Sequence, residues 1–114
     1  MGANPARFLI RQSLVMTHTE EIRERINGIL DGIFRLVPRT FTASQFITAF
    51  KNLDHEGYEF ALQNANSYQD FNKWIGEHVL PRLEGSRIIR TNRMVEITTE
   101  NEYQSRNTEW QLIP

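Results

Sequence analysis

The side chains able to do chemistry in this sequence are few, and their spacing does not favour catalysis. The histidines are His18, His55 and His78, and there is no cysteine. No two histidines share His-x-x-x-His spacing, so no helix face offers a zinc pair, and no thiolate can complete one. His55 stands between Asp54 and Glu56. That triplet could meet a cation, but a polar turn accounts for it equally well. His78 falls on or beside an apolar helix face, where a histidine more commonly serves the core. Ser44, Ser67, Ser86 and Ser105 lack a Gly-x-Ser-x-Gly setting, and no glycine-rich loop is built to cradle phosphate. The sequence therefore predicts a protein that is not an enzyme and needs neither metal nor cofactor.

Binding chemistry is better represented. Gln69, Asn72, Lys73 and Gly76 occupy positions i, i+3, i+4 and i+7 of one segment. Helical spacing places them on one face, away from Phe71 and Ile75. Gln and Asn can pair with adenine, and Lys can reach guanine or phosphate. Asp70 and Glu77 flank the stripe and would repel phosphate, and a solvated helix face has the same composition. Arg82, Arg87, Arg90 and Arg93 follow closely, with only Glu84 opposing them. Guanidinium groups in this density suit phosphate contacts, which position a protein on nucleic acid and make its affinity salt-dependent. Arg106 is a further candidate. The plainer reading of such a cluster is a solvated surface. Trp74 and Trp110 read as core residues rather than base-stacking ones, because tryptophan on an apolar face usually buries its ring.

The chain of 114 residues is most simply one domain with a core large enough to need no staple. Its hydrophobic content of 39% and charged content of 24% are those of an ordinary globular protein. The net charge of −1 counts against nucleic acid, which favours strongly basic domains. No apolar run approaches the roughly 20 residues that span a bilayer, so no membrane association is expected and a cytoplasmic location is. Residues 1–16 read as an N-terminal arm. Phe8 to Val15 could be a strand, a helical turn or a docking segment, covering a partner subunit or the chain's own core.

The elements that position these residues are marked by caps and periodicity. Thr17-His18-Thr19-Glu20 fits a capping box, and Ile22, Ile26, Ile29, Leu30, Ile33 and Phe34 recur at helical spacing. Gly28 and Gly32 weaken that helix by about 1 kcal/mol each and could admit a close crossing. Leu36-Val37-Pro38 ends it. Arg39-Thr40-Phe41 reads as a short extended link. Thr42-Ala43-Ser44-Gln45 is a second capping box, opening a helix that buries Phe46, Ile47, Phe50 and Leu53. After a turn at Asp54-His55-Glu56-Gly57, Tyr58 to Leu62 forms one or two helical turns. Ser67 caps a third main helix with Tyr68, Phe71, Trp74, Ile75, His78 and Val79 on its apolar face. Pro81 either stops this helix near Leu80 or kinks it onward to Glu84, and Gly85 supplies a left-handed stop. Met94–Thr99 and Trp110–Ile113 read as strands, joined by a flexible wing from Glu100 to Asn107.

The fold class expected is mainly α with a small antiparallel β hairpin, with three to four helices over residues 17–114. The order of helix, extended link, helix, helix and two-stranded wing resembles the winged helix-turn-helix superfamily. The likeness is carried by Thr42-Ala43-Ser44-Gln45-Phe46, by Leu80-Pro81-Arg82-Leu83-Glu84-Gly85 and by Ile88-Ile89-Arg90. The chain departs from the pattern in the long span from Asp54 to Asn66, where such proteins have a tight turn. The resemblance implies a third helix lying in the DNA major groove and a wing touching the backbone. It leads to the expectation of a dimeric DNA-binding regulator or accessory factor. In that role Gln69, Asn72 and Lys73 would face bases, and Arg82, Arg87, Arg90, Arg93 and Arg106 would face phosphates of double-stranded DNA. With so few cations a homodimer would be needed, through the arm or the Ile22–Phe34 helix. The alternative is a winged-helix module that binds protein and no nucleic acid.

Overall fold

The computed structural model describes residues 16–98 and 104–114. The arm expected over residues 1–16 therefore lies, but for Met16, outside the described residues. The described residues form a mixed α+β fold of five α-helices and a three-stranded antiparallel sheet.

Helix α1 spans Thr19–Gly28 and α2 spans Leu30–Leu36. The single helix expected here is broken at Ile29, whose φ of −126° and ψ of 21° leave the helical region. Gly28 lowers the local helix propensity, and the break lets Ile26, Leu30 and Ile33 all reach the core. The expected box at Thr17 does not form. His18 is the N-cap residue, and the Thr17 hydroxyl donates to Asn64 Oδ1 at 2.7 Å instead. Gly32 earns the close approach anticipated for it, because a Cβ there would lie 3.1 Å from Leu53 Cδ1.

Strand β1, Thr40–Phe41, leads into α3, Ala43–Leu53. Gln45 Oε1 accepts the Thr42 N–H at 3.0 Å, as expected of the box. Phe46, Ile47 and Phe50 are buried, but Leu53 is 45% exposed. The next segment is a full helix, α4, His55–Gln63, longer than the one or two turns expected. Asp54 caps it by accepting the Gly57 N–H at 2.9 Å, and Arg25 grips the same carboxylate from α1. Local capping and a tertiary ion pair thus hold this turn in one place.

Helix α5, Tyr68–Trp74, is capped by Ser67 as expected. It widens into a π-helical turn at Ile75–Val79 and tightens into a 3-10 turn at Leu80–Leu83. Of the two outcomes open at Pro81, the chain takes the second. The Leu80 N–H reaches the Ile75 carbonyl, and Pro81, which has no N–H, sits in the first turn of the 3-10 segment. Gly85 then reverses the chain at φ 91°.

Strands β2, Ile88–Thr98, and β3, Gln104–Leu112, are longer than expected; β3 takes in residues 104–107 of the anticipated wing, and the rest of that wing, 100–103, lies outside the described residues. The sheet order is β1-β3-β2. The register places Phe41, Trp110 and Arg90 in one row and Thr40, Gln111 and Ile89 in the next. Residues paired across strands share a face. One face therefore carries Phe41, Trp110 and Ile88 into the core, each at most 1% exposed. The other turns Thr40 and Ile89 to solvent. A shift in register separates Arg90 from Met94, and Asn92 within it takes φ 68°. Phe34, Phe41 and Phe46 meet with ring centroids 6.0 to 6.4 Å apart and tie α2, β1 and α3 together.

Candidate interaction surface

The α5 segment presents a polar face only in part. Gln69 and Lys73 are exposed and Gly76 is half-buried. Asn72 departs from the expected outward stripe. It is 2% exposed, and its side-chain amide donates to Ser44 Oγ at 2.8 Å. Tyr68 adds a longer contact to the same oxygen at 3.4 Å. A buried amide without a partner would be costly, so this network fixes Asn72 inward, between α3 and α5, where it cannot reach a base edge.

Gln69, Lys73 and Gly76 line a groove of about 570 Å³ whose other wall is the hairpin, through Met94, Arg106 and Thr108. Four of the expected contact residues, Gln69, Asn72, Lys73 and Arg106, therefore do line one groove, Asn72 with its amide turned back to Ser44. Asp70 and Glu77 line the same groove. Two cations against two carboxylates leave it without the positive field that attracts phosphate.

The remaining arginines do not extend this groove. Arg87 pairs with Asp31 of α2 and lies 5.1 Å from the Phe34 ring centroid. Arg90 lies 4.8 Å from the Trp110 ring centroid, and its Nε donates to Glu84 at 3.1 Å. Arg93 Nε is 3.9 Å from Glu109 Oε1, and that carboxylate also accepts the Thr91 hydroxyl at 2.7 Å. Arg82 is exposed on the 3-10 turn and acts on Arg23 of α1. Burial first, and the Arg82 charge second, hold the Arg23 guanidinium below its ordinary range. Arg23 itself stacks over Trp74 at 5.2 Å and donates to the His78 carbonyl at 2.8 Å. The arginine cluster of the sequence is thus dispersed over four surroundings. Arg90 and Arg93 belong to strand β2 rather than to a free connector, which is why their side chains find strand and turn neighbours.

The histidines are separate as well. His18 meets Glu21 at 3.1 Å, His55 meets Glu59 at 3.5 Å, and His78 is exposed rather than part of the apolar face. Among the described residues no three His, Asp or Glu side chains gather into a group able to hold a metal. No helix among them is long and apolar enough to cross a membrane.

A surface that the sequence did not mark is the outer face of the sheet. Ile89 is 43% exposed on the same face as Thr40 and Gln111, and Ile113, just past the end of β3, is 37% exposed. Farther along the hairpin Met94 is 51% exposed. Alternation along β2 was the available signal, since Ile89 stands next to the buried Ile88 and must face the other way. No known protein family, curated protein or solved structure matches this chain.

Proposed function

We propose that the chain is a non-enzymatic protein-interaction module of winged-helix type, which meets its partner through the hairpin and the outer face of the sheet and does not bind nucleic acid. The succession of helix, β1, α3, α5, β2 and β3 with sheet order β1-β3-β2 supports the winged-helix reading. In that reading α4 is the insertion between the second and third helices. The observation that carries the function is the fate of the guanidinium groups. Arg87, Arg90 and Arg93 each face a carboxylate of the same chain, and the α5–hairpin groove holds as many acids as cations. A phosphate-binding surface needs clustered positive charge, since released counterions supply much of its affinity. The sheet face, by contrast, offers exposed isoleucines beside neutral polar groups, a mixture suited to protein contact.

One observation favours the nucleic-acid alternative, namely that Gln69, Lys73 and Arg106 share a groove. The two readings part in a photocrosslinking experiment. A benzophenone amino acid replaces Ile89 in one variant and Gln69 in another, each irradiated in an extract of the protein's own cells. The interaction-module reading gives a protease-sensitive, nuclease-resistant adduct from position 89 and no nucleic-acid adduct from position 69. A nuclease-sensitive adduct from position 69 would overturn it.

A further inference from the structure

Strand β3 is paired along its length on one side only. Against β2 it pairs from Gln104 to Leu112 with one shift in register, whereas β1 meets it only at Gln111 and Trp110. Among the described residues no strand lies beyond Arg106–Glu109 on that second side. The α5–hairpin groove, of about 570 Å³, is lined by Arg106, Asn107 and Thr108 in succession. Neighbouring strand residues point to opposite faces, so a groove that meets three in a row follows the edge of the strand. Such an edge presents backbone N–H and C=O groups to whatever enters. Asn107 is 9% exposed, and its Oδ1 is buried without a hydrogen-bond partner, which is costly unless a donor is supplied. The walls carry both signs of charge, Asp70, Lys73 and Glu77 on the helix and Arg106 on the hairpin. No ion pair or side-chain hydrogen bond among the described residues engages any of these four, although Glu96 stands across the strands from Arg106.

We propose that the α5–hairpin groove seats an extended peptide segment of a partner protein, one that carries an acidic and a basic side chain, as a further strand on the open edge of β3. Main-chain hydrogen bonds to Arg106–Glu109 hold the segment, as in other cases of strand addition. Its side chains choose the sequence. Lys73 and Glu77, one turn apart, are separated by about 6 Å along the helix. Residues two apart on an extended strand share a face and lie roughly 6.8 Å from each other. An acid and a base two residues apart on the segment therefore fit Lys73 and Glu77. The balance of charge that makes the groove poor for phosphate is what suits it to a segment of both signs. The proposal goes beyond the outer face of the sheet and does not rest on it. A peptide in the groove leaves Ile89 uncovered, so crosslinking from position 89 and occupancy of the groove succeed or fail separately.

The test is a nuclear magnetic resonance titration of the full chain with a terminally blocked hexapeptide of valine and threonine in which glutamate and lysine stand two apart. A second peptide carries glutamine at both charged positions. Two more are N-methylated, each on one alternate set of backbone nitrogens. The charged peptide should shift amide signals in both Gln69–Lys73 and Arg106–Thr108. It should bind about tenfold more tightly than the glutamine peptide, the worth of two solvent-screened ion pairs. One N-methylated peptide should lose binding and the other keep it, because only one edge of an added strand meets β3. Lys73→Gln combined with Glu77→Gln, both at exposed positions, should bring the charged and glutamine peptides together while leaving the spectrum of a folded chain. Equal affinity for those two peptides in the natural sequence would overturn the proposal. So would a preference that survives the double substitution, full binding of both N-methylated peptides, or no shift at Arg106–Thr108 up to the millimolar range. Shifts there on raising the protein concentration alone would give the groove to a second copy and overturn it as well.

Discussion

The Asn72 side-chain amide donates to the Ser44 hydroxyl at 2.8 Å, and both residues are buried. This contact ties α5 to α3 and decides what α5 can show to the outside. A helix that commits the centre of its polar stripe to a neighbouring helix has only its flanks, Gln69 and Lys73, left for a partner.

Asn72→Ala should therefore act on stability. Removing the amide deletes a buried hydrogen bond and leaves a small cavity, at a cost of about 1–3 kcal/mol. Urea unfolding reads this directly. In a double-mutant cycle with Ser44→Ala the two losses should fall short of additivity by about 1 kcal/mol, because each substitution removes the same bond. A stability-neutral Asn72→Ala would mean that the side chain is not held inward.

The arginines should separate by their surroundings rather than by their charge. Arg90 combines a ring contact with Trp110 and a bond to Glu84, whereas Arg93 has one loose pairing with Glu109. Both side chains are substantially exposed, and solvent screens such pairs. Arg90→Ala should still destabilise by about 1 kcal/mol through lost stacking on the ring, and Arg93→Ala should stay within roughly 0.5 kcal/mol of the natural chain. Arg90→Lys should recover only part of the loss, since an ammonium does not stack as a guanidinium does. Equal effects of the two alanine substitutions in urea unfolding would contradict the assignment.

Asp54 should dominate the acid limb of stability around α4. Its carboxyl is held below the ordinary carboxylate range, first by the hydrogen bond from Arg25 and further by the Gly57 N–H. The folded value is lower than the unfolded one. The contribution is then complete above about 4, the usual value for aspartate, and is lost as pH falls through the lower folded value. Asp54→Asn should flatten the fall in stability over that acid window and leave the slope near neutral pH unchanged. Gly57→Ala should do the same, because a Cβ there would press on Asp54 Oδ2 and lie 2.8 Å from Arg25 Nε. Unfolding midpoints measured from neutral to acid pH check both variants, and an unaltered slope in Asp54→Asn would count against the coupling.

The elements were legible wherever one local rule acted alone. Thr42 and Ser67 open helices because a small polar residue precedes an apolar repeat, and Gly85 ends a segment because the backbone there takes a positive φ. The break at Ile29 was hidden, since the apolar spacing continues across it and only packing turns α2 away from α1. Burial of Asn72 is consistent with its spacing but not with its polarity. It stands four residues after Tyr68 and three before Ile75, which is the spacing of the buried stripe, but its polarity argued the other way. Glu84 could be read as a local opponent of the cluster, but the pairings of Arg87 and Arg93 could not, because Asp31 and Glu109 become their neighbours only through the α2 crossing and the sheet. Charge counted along a chain says little about charge after each cation has met its partner.

The most direct measurement is a fluorescence-anisotropy titration of random-sequence duplex DNA with the full chain at low salt, repeated across a salt series. Paired guanidinium groups and a balanced groove predict no saturable binding up to tens of micromolar protein. Saturable binding that weakens steeply with salt, and loses part of that slope in Lys73→Ala or Arg106→Ala, would show a working phosphate surface and contradict the account.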